Sequence, residues 1–130
     1  MEKVSEVLDR GTIESMIDTF VAAWNAGDME QALRVYAEDA AFATLGGSPI
    51  FGKDQIRQHY LAARSEQYAG ILGLEVLNIR IAPGHEPSMA TAMLRWCFKN
   101  SQGAELSCGF AMCAYIRDET GIHVSDDISF

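Results

Sequence analysis

The closing stretch GIHVSDDISF, residues 121 to 130, sets two carboxylates inside an apolar repeat. In an extended chain Ile122, Val124, Asp126, Ile128 and Phe130 share one face, and His123, Ser125, Asp127 and Ser129 share the other. The apolar face of a strand turns to the core, so simple alternation predicts Asp126 inside. A carboxyl withdrawn from water has a raised pKa and can act as a general acid or base near neutrality. The competing expectation is a bulge that rotates the strand near Asp126 and takes both aspartates to solvent or to a partner. His59 falls within a helical pattern, where one imidazole can move protons or simply be a surface or structural residue. Cys113 has no base close by in sequence and reads as a small buried hydrophobe. The chain has no glycine-rich phosphate loop, no G-x-S-x-G elbow and no H-E-x-x-H pair. Cys97, Cys108 and Cys113 form neither a CxxC pair nor a Cys/His cluster of ligand spacing, so neither a metal site nor a cofactor is expected.

Helices and strands must position these groups. Ile13, Met16, Ile17, Phe20, Val21 and Trp24 make one stripe at helical period, with Thr12 as the expected N-cap. Gly27 can close that helix in the left-handed conformation, and Asp28 with Gln31 has the spacing of a capping box for the next one. NAGD is therefore a stop and a start in four residues. Met29, Ala32, Leu33 and Tyr36 form the inner stripe of a second helix, EDAAFAT moves towards strand or loop, and LGGSP breaks the pattern. A third helix begins near Gly52, presents Ile56, Tyr60 and Ala63 on one face, and ends in SEQYAG. Segments 71–82, 88–99, 104–117 and 121–130 read as four strands joined by turns. Three helices followed by an antiparallel meander predict an α+β fold, a strongly bent sheet wrapped around the helices. Ala90, Ala92, Leu94, Trp96 and Phe98 suit the inside of their strand, while Met93, Arg95 and Cys97 lie on the other face. Strand 104–117 is apolar on both faces, with Phe110 and Met112 on one and Ala111, Cys113 and Tyr115 on the other. A tolerant central strand would account for that; a second copy packed on the outer face of the sheet is the expectation favoured here.

A length of 130 residues fits one domain over 1–130 with a sizeable core. Apolar residues make up 48% and charged residues 22%, and the net charge is −8. An acidic surface repels phosphate backbones and anionic bilayers, so nucleic acid and membrane are not expected partners. The N-terminal MEKVSEVLDRG has no apolar run, and the odd cysteine count fits a reducing cytoplasm.

The run FVAAWNAGDMEQALRVYAEDAAF, the glycine-containing loop after it, and FGKDQIRQHY resemble the nuclear transport factor 2-like superfamily. That superfamily includes ketosteroid isomerases, scytalone dehydratase, limonene epoxide hydrolase and SnoaL-like polyketide cyclases. The resemblance is strongest over residues 13 to 60. It implies a cone-shaped, cystatin-like α+β roll, an apolar pocket between sheet and helices, and frequent dimers. The residues expected to line that pocket are Phe20, Trp24, Tyr36, Phe42, Thr44, Tyr60, Trp96, Cys113 and Asp126, although each aromatic alone also fits a plain core. Aligned through NAGD, the ketosteroid isomerase base falls near Thr44, its tyrosine at Phe20 and its strand aspartate near Cys113. None of these can do the same work, which argues against steroid isomerisation by that route. The Asp-Arg-Asp set of limonene epoxide hydrolase is met by Arg95 and Asp126, but position 97 is cysteine and Arg95 faces outward. Scytalone dehydratase relies on polar and histidine groups in its pocket, and the resemblance makes His59 on the third helix a candidate for such a group, against the plainer reading of a surface or structural histidine. The expected function is binding of a small hydrophobic molecule, with isomerase- or lyase-type acid–base chemistry through Asp126. The alternatives are a non-catalytic binder, or a dimerisation domain whose pocket is filled by its own side chains.

Overall fold

The computed structural model describes residues 7–66 and 68–130. The charged stretch 1–6 and position 67 of SEQYAG lie outside the described residues. Helix α1 spans Arg10–Asn25 and buries Ile13, Ile17, Ala23 and Trp24. It starts earlier than the stripe predicts. Asp9, not Thr12, is the N-cap, and its Oδ1 accepts from the Thr12 backbone N–H at 2.8 Å. Thr12 is thus the third helical residue, whose free N–H is the one an N-cap carboxylate satisfies. The NAGD joint folds as read: Gly27 has φ 78°, and Asp28 Oδ1 accepts from the Gln31 N–H at 3.1 Å.

Helix α2, Met29–Leu33, is only one turn. Tyr36 does not continue its stripe but opens strand β1, Tyr36–Thr44. The cause is non-local: the Val35 carbonyl accepts from the Val124 N–H at 2.7 Å, which draws the chain onto the last strand. Strand β2, Ile50–Phe51, precedes helix α3, Lys53–Ala63. The meander follows as β3 (Ile71–Ile81), β4 (Met89–Lys99), β5 (Glu105–Asp118) and β6 (Gly121–Ser129).

These strands form one curved, unclosed sheet in the order β2-β1-β6-β5-β4-β3. Every pairing is antiparallel except β1 with β6, which run parallel with Tyr36 opposite Val124 and Ala41 opposite Asp126. The sheet is therefore not the purely antiparallel meander predicted, because two strands lie between α2 and α3 and extend it past β6. A parallel pair needs a long crossover, and here α3 and the whole meander supply it. The inner face carries Ala90, Ala92, Leu94, Phe98, Ala111, Cys113 and Tyr115, all buried against the helices. Phe110, Met112, Ile128 and Phe130 point the other way and are exposed. Cys97 and Cys108 face each other across β4 and β5 and are disulfide-bonded, and Cys113 is free and buried. No described helix is long and apolar enough to cross a membrane.

Candidate functional site

The register between β5 and β6 decides which carboxylate is inside. Ala114 pairs with Asp126, but Tyr115 pairs with Val124, so Ser125 is an extra residue on β6. A bulge of this kind shifts the alternation of everything beyond it by one position. Val124 and Asp127 are buried, while Asp126 and Ile128 are exposed. The expectation that Asp126 points inward is thereby corrected. Asp126 lies on the outer side, where its Oδ2 accepts from Ser125 Oγ at 2.9 Å. Nor do both aspartates reach solvent, since Asp127 is 7% exposed and is the one buried charged residue among those described.

Asp127 lines a cavity of about 90 Å³ between the sheet and the helices, open on one side. Among the described residues, α1 contributes Phe20 and Trp24, β1 Tyr36 and Phe42, α3 Tyr60, β4 Trp96 and β5 Cys113. Tyr68, Leu94, Phe98 and Tyr115 also line it. Besides Asp126, two candidate residues do not. Thr44 sits at the end of β1, beyond Phe42, outside the lining. His59 packs its ring on Phe42 at 5.0 Å between centroids, and its Nε2 meets the Tyr68 hydroxyl at 3.2 Å. It supports the wall from behind, and burial lowers its pKa.

Three side chains from three elements meet at Asp127. The Tyr36 hydroxyl donates to Asp127 Oδ2 at 2.6 Å and lies 2.5 Å from the Tyr60 hydroxyl. With its own proton given to the carboxylate, Tyr36 accepts from Tyr60, so the chain runs Tyr60 to Tyr36 to Asp127. Asp127 Oδ1 is buried without a hydrogen-bond partner. Such an orphaned oxygen normally costs about 1–3 kcal/mol, more when charged. Burial pushes the Asp127 carboxyl up to about 6, against the pull of its Tyr36 bond and of the neighbouring Cys113 thiol, which closes no hydrogen bond of ordinary geometry. Burial first, and the carboxylate's charge second, hold Tyr36, Tyr60 and Cys113 well above their usual range. Tyr115 is raised as well, by burial and then by Cys113 and Asp127. Asp127 is therefore the group in this cluster that changes charge near neutral pH. Alternation along β6 missed it because one inserted residue moves the frame; the signal available was two adjacent aspartates in an otherwise apolar strand. Tyr36 and Tyr60 were legible as aromatics, and their hydroxyl chain was not.

Outside the cavity, Cys97, Glu105 and Cys108 bring three potential ligand atoms within 4.8 Å of one another. The sulfurs are bonded to each other and Glu105 is paired with Arg95 at 3.3 Å, so this cluster offers no free thiolate. Arg95 lies at that outer cluster, away from the cavity lining.

A family model described as the SnoaL-like domain matches residues 17–86. No curated protein matches the sequence. Solved structures with the same fold include a cystatin-like domain from Nostoc punctiforme, 18% identical over 96% of this chain and 78% of that one, with a TM-score of 0.79. A nuclear transport factor 2-like protein from Shewanella oneidensis is 18% identical over 90% of this chain and 94% of its own, TM-score 0.74. A ketosteroid isomerase-like protein from Erwinia carotovora is 15% identical over 92% of both chains, TM-score 0.69. The family match covers more than half of the sequence, and the chain belongs to the SnoaL-like domain family.

Proposed function

We propose that this SnoaL-like domain binds a small hydrophobic molecule in the aromatic cavity and exchanges a proton with it through Asp127, in isomerase- or lyase-type chemistry. One observation carries the reading: a single titratable carboxyl, titrating near 6, stands in an otherwise apolar wall with one oxygen fixed by Tyr36 and the other unpartnered. A general acid or base works best when its pKa lies near the working pH. The tyrosine chain orients Asp127 and delocalises the charge it gains or loses. The apolar wall supplies binding to the rest of the molecule and keeps water from the reacting atoms. A purely binding role is favoured by a different observation. Tyr36, Tyr60, Cys113 and Tyr115 in the lining are all held above their usual range, so none of these four hands the proton back at another atom near neutrality. In either role the protein is taken to act as a homodimer through the outer face of the sheet.

Native mass spectrometry of purified protein identifies what the cavity retains, and incubation of that compound in heavy water reads proton exchange. Asp127→Asn is expected to lower exchange or turnover by about 100-fold or more while affinity changes little. Equal turnover in the variant would refute the catalytic role. A bound compound that neither enzyme form alters would leave the binding role standing.

A further inference from the structure

We propose that the cavity is built for a small organic cation, an ammonium on an apolar body, whose charge is taken by Asp127 and whose apolar body lies among the rings that line the cavity, Trp24, Tyr60 and Trp96. The inference rests on the reading that the cavity holds a ligand, and not on proton transfer.

The wall makes the case by what it offers each class of ligand. An anion would meet the Asp127 carboxylate with no basic side chain among the described lining residues to compensate. Like charges in a dry site cost several kcal/mol as an order of magnitude. A neutral hydroxyl can donate to Asp127 Oδ1 but leaves the buried negative charge unbalanced. An ammonium does both, since it donates to the orphaned oxygen and neutralises the carboxylate. It also loses less on leaving water where aromatic rings replace it, because ring faces attract cations.

Trp24 already shows this property. The guanidinium of Arg64 stands over its ring, 5.1 Å from the centroid, while Arg64 also donates to the Trp24 carbonyl at 2.8 Å. That arginine is not part of the cavity lining, so its charge is spent outside the site. The net charge of −8 adds a general attraction for cations approaching the mouth.

Three probes of one shape and different charge test the proposal: benzylammonium, benzyl alcohol and benzoate. Trp24 and Trp96 both line the cavity, so intrinsic tryptophan fluorescence reports occupancy directly. At about pH 8, where Asp127 is ionised and the amine protonated, benzylammonium should bind roughly tenfold tighter than benzyl alcohol, and benzoate weakest. Asp127→Asn should bring benzylammonium down to the level of the alcohol. Asp126→Asn removes the same formal charge from the outer face and should leave the ranking intact. Circular dichroism checks that both variants are folded. Tighter binding of the alcohol or benzoate, or a preference that survives Asp127→Asn, overturns the charge inference while the ligand cavity stands. If none of the three perturbs tryptophan fluorescence at millimolar concentration, the cavity reading falls and this inference with it.

Discussion

Asp127 is a cost to the fold, and the cost has a definite sign. Its carboxyl titrates near 6 in the folded protein against an ordinary value of 3.8. Between about pH 4 and 6 the folded chain therefore keeps a proton that the unfolded chain releases. The folded state binds more protons in that window, so this residue's contribution to stability falls as pH rises through it. The loss levels off above about pH 6 at roughly 3 kcal/mol. Asp9, Glu30 and Asp118 have lowered pKa values from their hydrogen-bond partners and slope the opposite way, but a difference between two variants cancels them. Asp127→Asn keeps an acceptor for Tyr36 and removes the buried charge. Urea denaturation as a function of pH should show the variant gaining on the wild type between about pH 4 and 6 and holding that gain at neutrality. A constant difference across the window would mean the carboxyl titrates normally. Tyr36→Phe should act in the other direction on the group itself. It removes a hydrogen bond that lowers the Asp127 pKa, so the carboxyl resonance should titrate above 6, and an unchanged or lower midpoint would remove Tyr36 from the network.

At the scale of elements, a single strand pair shows how the cavity wall is fixed. Trp96 on β4 lies directly opposite Gly109 on β5. A Cβ at position 109 would collide with the indole ring of Trp96 and come within 2.6 Å of the Phe130 carbonyl. The missing side chain is what lets the ring lie flat across β5, with its Nε1 donating to the Phe110 carbonyl at 3.2 Å. Gly109→Ala should cost about 1–3 kcal/mol, the usual penalty of overpacking, and should shift Trp96 emission. A thermal midpoint equal to wild type would show that the ring moves aside freely. The same scale explains what is legible in the sequence. The stripe of α1, the Gly27–Asp28 joint and the four meander strands follow from neighbours within a turn or a hairpin, which a sequence displays. The local pattern places Tyr36 on a helix, whereas its strand exists through pairing with Val124, far along the chain. The aspartate frame failed for a related reason. Whether Ser125 is absorbed as a bulge depends on the register that β6 must keep with both β5 and β1, and no local pattern encodes that. The aromatic wall was legible from residue type; the carboxyl that gives it chemistry depended on one inserted residue.

For the whole molecule, the two faces of the sheet make opposite demands. The inner face is satisfied by three helices and the cavity. On the outer face Met93, Met112 and Ile128 form a row across β4, β5 and β6, and Phe110 and Phe130 stand beside it with ring centroids 6.1 Å apart. Met112 is 40% exposed, Phe110 41%, Ile128 51% and Phe130 50%, an apolar surface that one chain leaves in contact with water. The occupant proposed for it is a second copy of the chain. A twofold contact sets the same central strand against itself, so the apolar row meets an apolar row. That geometry gives a sharp test. A lysine at position 112 costs little in a single chain, because its ammonium reaches water from a half-exposed position. In a twofold dimer it places two like charges against each other at the centre of the contact, where a buried charge costs several kcal/mol. Light scattering at micromolar concentration should therefore find the wild type dimeric and Met112→Lys monomeric, with the same circular dichroism spectrum. A wild type that stays monomeric at high concentration, or a Met112→Lys protein that remains a dimer, would assign the outer face no partner of its own kind.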